Sequence, residues 1–269
     1  MNYFMSDLFG ASNAYFAMKD RMGIRNNDNL YILGNILDGN KRAPENSLII
    51  LDDIIKHDNI HLILGNHEYA HVMLYISVLN NDEENINKWK DYLNFEGMHL
   101  YNYMENNLSA KEKKTYMDFL IQCEMSEITK IGDKYFYMVH SCPAFCIDEN
   151  EWQFNVVENP LNIYEDYYRE IISDPFIRGQ ELKIEKKDLF LLTGHTTTRE
   201  FFENNYGLDV QCYKGFDGTK KEKIIKCGNN FCINCGCKGS SLGRIDNGWQ
   251  SNLACVGIDA AGYFVEYLL

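Results

Sequence analysis

The sequence predicts an α/β fold, and three observations carry that reading. Four short apolar runs, "NYFMS" at 2–6, "LYILGN" at 30–35, "HLILGN" at 61–66 and "LFLLTGH" at 189–195, stop abruptly at small or polar residues. Segments of helical spacing, "ASNAYFAMKDRM" and "NSLIILDDIIKH", separate the first three runs, so the first third reads βαβαβ. That order implies right-handed crossovers and a parallel sheet whose strand ends line up on one edge, the place where ligands bind in such folds.

From Tyr69 to about Cys123 the pattern is helical and polar-rich with no strand signal, which marks about 69–125 as a helical cap or insertion. Strand signals return in "SEITKIGDKYFYMVHS", where Gly132-Asp133 makes a hairpin turn. The C-terminal part also reads as strands: "KEKIIKCGNNFCINCG" turns at Gly228-Asn229, and "LACVGIDAAGYFVEYL" turns at Asp259 to Gly262. The basic run Lys220 to Lys226 fits the solvated face of the first of these hairpins. With no internal repeat, low-complexity tract or Pro/Gly-rich linker, residues 1–269 are expected to form a single domain.

At 269 residues and 45% hydrophobic, the chain can bury a sizeable core. Its 39 acidic and 26 basic residues give a formal charge of -13, so a phosphate backbone would repel it at long range, and nucleic acid is not expected as a main partner. No apolar run approaches the ~20 residues of a membrane span, and "MNYFMSDLFG" lacks the basic and apolar regions of a signal peptide. A cytoplasmic chain with no membrane partner is the simplest expectation. Its nine cysteines are odd in number and scattered, which favours reduced thiols. The cluster Cys227, Cys232, Cys235 and Cys237 could hold zinc, but its spacing does not match paired C-x2-C knuckles, and buried or turn thiols are the plainer reading.

The strand ends carry the chemistry. They deliver Asp7, then Asn35 and Asp38, then Asn66-His67, then His140, then His195. Singly, each has a dull explanation: Asp7 or Asn66 could cap a helix, and one histidine at a strand end is usually a satisfied polar residue. Jointly, such ends converging on one sheet edge bring carboxylate, amide and imidazole together, which is what a metal-assisted hydrolase requires.

At these residues the sequence resembles the calcineurin-like metallophosphoesterases, in particular the branch of serine/threonine protein phosphatases and dinucleoside tetraphosphate hydrolases. The family's motifs Gly-Asp-x-His-Gly, Gly-Asp-x-x-Asp-Arg-Gly, Gly-Asn-His-Glu, Val-His-Ala-Gly and Gly-His-Thr stand here as "SDLFG", "GNILDGN", "GNHE", "VHSC" and "GHT". The resemblance implies an αββα sandwich, two packed mixed sheets flanked by helices, and two adjacent divalent metals. One metal would take Asp7 and the residues at 9 and 35; the other would take the residue at 35 with Asn66, His140 and His195. The resemblance further implies that His67 is the acid for the leaving oxygen, that Asp38 holds it, and that Asn66 and Arg178 of "DPFIRG" contact the phosphate.

Three departures alter that expectation. Phe9 replaces a histidine ligand, Asn35 replaces the bridging aspartate, and Gly39 replaces a phosphate-binding arginine. Two divalent ions about 3.5 to 4 Å apart repel by roughly 15 to 20 kcal/mol even at an effective dielectric of ~20, and an amide brings no charge to offset this. The expectation is therefore at most one well-occupied divalent ion (Mn, Zn, Ni or Fe), held by Asn66, His140 and His195 with the Asn35 oxygen. Two-metal hydrolysis should be impaired or lost, leaving a pseudoenzyme that binds a phosphate ester, nucleotide or phosphoprotein. The alternative is an active one-metal phosphoesterase acting on a small or activated ester.

Overall fold

Strands β1 (Asn2–Met5), β2 (Asn29–Leu33) and β3 (Ile60–Ile63) lie parallel and adjacent in the computed structural model, joined by helices α1 (Ser12–Met22) and α2 (Glu45–Lys56). Side chains are described for residues 1–94, 98–141, 189–195, 231–237 and 252–269, together with the backbone of short strands between them. Helix α1 stops where Gly23 takes φ 61° and donates its N–H to the Lys19 and Asp20 carbonyls, a left-handed cap open to glycine without a steric penalty.

Four helices follow with no strand among them: α3 (Asn66–Leu79), α4 (Glu83–Leu93), α5 (Met98–Asn107) and α6 (Ala110–Gln122). Asp82 caps α4, and Ser109 with Glu112 forms a reciprocal capping box on α6. Helix α3 is buried on most sides, including Asn66, Glu68, Tyr69, Ala70, His71, Val72 and Leu74, so its first turn is fixed by packing all around. Among the described residues no helix is long and apolar enough to cross a membrane.

The chain then forms the hairpin β4 (Ser126–Ile131) and β5 (Lys134–Val139), turning at Gly132-Asp133 as the sequence suggests. A small hairpin, β6 (Phe145–Asp148) with β7 (Glu151–Phe154), is one the sequence pattern does not announce. After β8 (Leu189–Thr193) come β9 (Tyr213–Lys214), β10 (Lys220–Lys221), β11 (Ile225–Cys227), β12 (Asn230–Cys232), β13 (Ile245–Asp246) and β14 (Trp249–Gln250). The last pair, β15 (Ala254–Ile258) and β16 (Phe264–Leu268), turns through Asp259, whose carbonyl accepts from Gly262 N–H. The turn expected at Gly228-Asn229 lies outside the described residues, although β11 and β12 pair on either side of it.

Two five-stranded sheets result, ordered β16-β15-β1-β2-β3 and β11-β12-β8-β5-β4. Both are mixed, since β15 runs antiparallel to β1 and β4 antiparallel to β5. The period-two alternation of the strands sorts their side chains between two cores. Phe4, Tyr31, Leu33, Phe136, Met138, Phe190, Leu192 and Val256 pack together between the sheets. Tyr3, Met5, Leu30, Ile32, Tyr137, Val139 and Leu191 point the other way, into a core shared with the helices. Sheet therefore stacks on sheet with helices outside.

This corrects one expectation. The polar strand ends converge from two sheets, not from one sheet edge: β1, β2 and β3 bring Asp7, Asn35, Asp38, Asn66 and His67, while β5 and β8 bring His140 and His195. A buried strand reads as the same short apolar run in either sheet, so periodicity alone does not assign it.

Candidate metal and phosphate site

Backbone strain marks the site. Among the described residues, six non-glycines have positive φ, and five of them are Asp7 (55°), Phe9 (44°), Asn35 (55°), Asp38 (65°) and His195 (54°). Each costs roughly 1–2 kcal/mol relative to an ordinary conformation, and such strain gathers where geometry serves function. The loops after β1 and β2 stay tied together, through Asp7 N–H to Gly34 O (3.0 Å), Phe9 N–H to Asn35 O (2.8 Å) and Gly10 N–H to Ile36 O (2.9 Å). Gly34 permits the close approach of the strand ends, since a Cβ there would fall 2.5 Å from Gly65 N and 2.7 Å from His140 Nδ1.

Glu68 holds this framework from beneath. Its Oε1 accepts the N–H groups of Ile36 and Leu37, both at 2.9 Å, and its Oε2 accepts those of Asn35 (2.8 Å) and Gly65 (2.9 Å). Burial pushes its pKa up, and the backbone amides oppose that by favouring the carboxylate.

On one side of the site three possible ligand atoms face one another. His140 Nδ1–H donates to Leu33 O at 2.7 Å, which leaves Nε2 as an acceptor. Opposite Nε2 stand Asn66 Oδ1 at 3.1 Å and His195 Nδ1 at 3.2 Å. Burial pushes the His140 pKa down to about 3, against the Leu33 hydrogen bond, so a proton on Nε2 does not relieve the repulsion. A proton on His195 Nδ1 would satisfy one pair; a cation would satisfy all three. Two ligands of one ion at ~2.1 Å lie about 3.0 to 3.4 Å apart for octahedral or tetrahedral angles, so these separations fit a divalent metal.

The other side is closed by internal contacts. Asn35 Nδ2 donates to Asp7 Oδ1 at 3.1 Å, and Asn35 Oδ1 accepts the His67 backbone N–H at 3.3 Å. Asp7 Oδ2 accepts from Ser6 Oγ at 2.6 Å and from His195 N–H at 2.9 Å. Burial pushes the Asp7 pKa up, opposed by the Ser6 hydroxyl, by the His195 charge and backbone N–H, and by the Asn35 amide. Phe9 is buried and meets the His67 ring edge-on, with centroids 5.2 Å apart.

Phe9 also explains Gly39. A Cβ at Gly39 would fall 2.4 Å from Phe9 Cβ, and its φ is 71°, so neither the arginine of the family motif nor any other side chain fits this backbone. Gly39→Ala should lower stability by about 2–4 kcal/mol, from left-handed strain plus overpacking. Urea unfolding measures it, and a loss under about 0.5 kcal/mol would contradict the close contact.

The His67 and Asp38 side chains meet closely, with His71 joining them. His67 Nδ1 meets Asp38 Oδ2 at 2.8 Å, and His71 Nε2 meets Asp38 Oδ1 at 2.9 Å and Oδ2 at 3.1 Å. Burial alone would raise the Asp38 pKa, but the His71 and His67 imidazoles overcome it and hold the carboxyl well below the usual range.

A model of the calcineurin-like phosphoesterases matches residues 3–215. This chain belongs to the calcineurin-like phosphoesterase family. No curated protein matches the sequence significantly. Solved structures share the fold at low identity. A Saccharomyces cerevisiae serine/threonine phosphatase with similarity to human PP5 matches at TM-score 0.54 and 11% identity, over 100% of this chain and 79% of that one. A protein assigned as a diadenosine tetraphosphatase matches at TM-score 0.51 and 10% identity, over 99% and 92%. A Sphaerobacter thermophilus metallophosphoesterase matches at TM-score 0.50 and 16% identity, over 100% and 87%.

Within this phosphoesterase, the structure brings Asp7, Asn35, Asp38, Asn66, His67, His140 and His195 together, while Arg178 lies outside the described residues. Of the cysteine cluster, Cys232, Cys235 and Cys237 are buried, and burial followed by the Asp7 charge pushes the Cys237 thiol up to about 12. Among the described residues no group of three or more His, Cys, Asp or Glu is placed to hold a metal, and the corner described above has two imidazoles and an amide. Sequence reading passed over His71, whose i,i+4 spacing from His67 was the available signal. It also passed over Tyr92 of α4, whose hydroxyl accepts from Asn66 Nδ2 at 2.8 Å.

Proposed function

We propose that this calcineurin-like phosphoesterase carries one divalent ion (manganese, zinc, nickel or iron) on Asn66, His140 and His195, and that its two-metal hydrolysis is impaired or lost. The observation that carries this reading is the Asn35 side-chain N–H donated to Asp7, an internal hydrogen bond where a bridged pair of ions needs a second carboxylate. Phe9 beside it adds a ring in place of a ligand. The chain then serves as a cytoplasmic binder of a phosphate ester, nucleotide or phosphoprotein. The names of the structural neighbours accord with those ligand classes. Arg178 would add a phosphate contact, and the helices over about 69–125 would act as the cap that selects the ligand.

A bound ion would supply Lewis acidity and a positive centre for phosphate oxygens. The chain's own residues do the rest. With His67 Nδ1 engaged by Asp38, Nε2 is the atom left to give a proton to a leaving oxygen. That intact pair supports a second reading, an active one-metal hydrolase of a small or activated phosphate ester. Turnover of an aryl phosphate separates the two. The binder reading expects rates near background that His67→Ala barely changes. Fast turnover abolished by His67→Ala would sink it and favour the hydrolase.

A further inference from the structure

Helix α4 reaches into the site through one hydroxyl. Tyr92 lies 26 positions beyond Asn66 in the chain, yet its phenol oxygen accepts Asn66 Nδ2–H at 2.8 Å. The Tyr92 ring is 39% exposed and rests against the buried Trp89, which in turn meets Tyr69 of α3, with centroids 5.9 and 5.6 Å apart. The phenol is thus held by edge-to-face ring contacts and not by the amide alone.

The Asn66 amide has two unlike ends. Only its oxygen can bind a metal, and in this structure that oxygen faces His140 Nε2 at 3.1 Å. The NH2 end then needs an acceptor on the far side, and the Tyr92 oxygen is that acceptor. Without it, only solvent is left on that side, and the His140 Nε2 lone pair 3.1 Å from the amide competes for its N–H groups. An amide turned that way satisfies its N–H groups but puts a donor where a metal ligand should be.

We propose that Tyr92 is a positioning residue that keeps the Asn66 oxygen turned toward His140 and His195, and so ties helix α4 to metal occupancy. This rests on the reading that Asn66, His140 and His195 hold an ion. Outer partners of metal ligands are typically worth 10–100-fold in affinity, so the effect should be measurable without any catalysis.

The test is a mutant cycle read by titration calorimetry with Ni2+. Tyr92→Phe keeps the ring and should melt, metal-free, at the parent temperature while binding at least ~10-fold more weakly. Asn66→Asp has an oxygen at both ends, so adding Tyr92→Phe to it should cost less than ~3-fold. Equal affinity of parent and Tyr92→Phe would overturn the inference alone. So would an equal penalty in both backgrounds, which would mean that Tyr92 acts other than through the amide. A parent chain that binds no Ni2+ would overturn this inference together with the one-ion reading it rests on.

Discussion

Phe9→His combined with Asn35→Asp should raise turnover of an aryl phosphate by roughly 10²- to 10⁴-fold over the parent chain. One Lewis-acid ion stabilises a transition state by several kcal/mol, and each ~1.4 kcal/mol is tenfold in rate. His67 and Asp38, proposed above as the acid and its partner, already stand hydrogen-bonded. Asn35→Asp alone should behave differently. It sets a second carboxylate about a hydrogen-bond length from Asp7, where like charges cannot both ionise, so stability should fall in chelator and recover with Mn2+. The gain should stay below that of the natural two-metal enzymes, because position 39 still lacks the arginine, and its φ of 71° with the Cβ of residue 9 alongside leaves no room for a side chain. A double variant that binds a second metal yet gains no rate would mean that the lost ligands were not what limits hydrolysis.

Glu68→Gln should lower unfolding stability by about 2–6 kcal/mol. Its two oxygens accept four buried backbone N–H groups, whereas a glutamine keeps one acceptor and turns an NH2 toward the other donors. At ~1–3 kcal/mol for each buried amide left unpaired, two orphans give that range. The same bonds place Asn35 and Gly65, so metal affinity should fall alongside. Urea denaturation monitored by circular dichroism measures the loss, and a change below about 1 kcal/mol would mean that the loop is held by something else.

The first sheet was legible because β1, β2 and β3 are buried on both faces and read as bare apolar runs between clear helical segments. The motif residues were legible for the same reason, since each stands where an apolar run stops. The assignment of β5 and β8 to a second sheet was not, because strand pairing is a long-range choice that local pattern leaves open. Nor did sequence pattern give the direction of the Asn35 amide, which depends on the Asp7 carboxylate and the His67 N–H meeting it from two other segments. Tyr92 carries no local signal at all: in α4 it is one more aromatic beside Trp89, and only the packing of α4 on α3 brings it to Asn66. Gly39 shows the reverse case. Its loss of the motif arginine was visible in the sequence, while the reason, a left-handed turn pressed against Phe9, needed the structure.

Metal content per chain tests the decayed two-metal centre most directly. The protein, loaded with excess Mn2+ or Ni2+ and then freed of loose metal by gel filtration, should retain one ion per chain by elemental analysis. That ion should vanish in His140→Ala and persist in Asp7→Ala. Two tightly held ions per chain, or a single ion lost in Asp7→Ala but kept in His140→Ala, would contradict a site that has given up its bridged pair and kept only the Asn66, His140 and His195 corner.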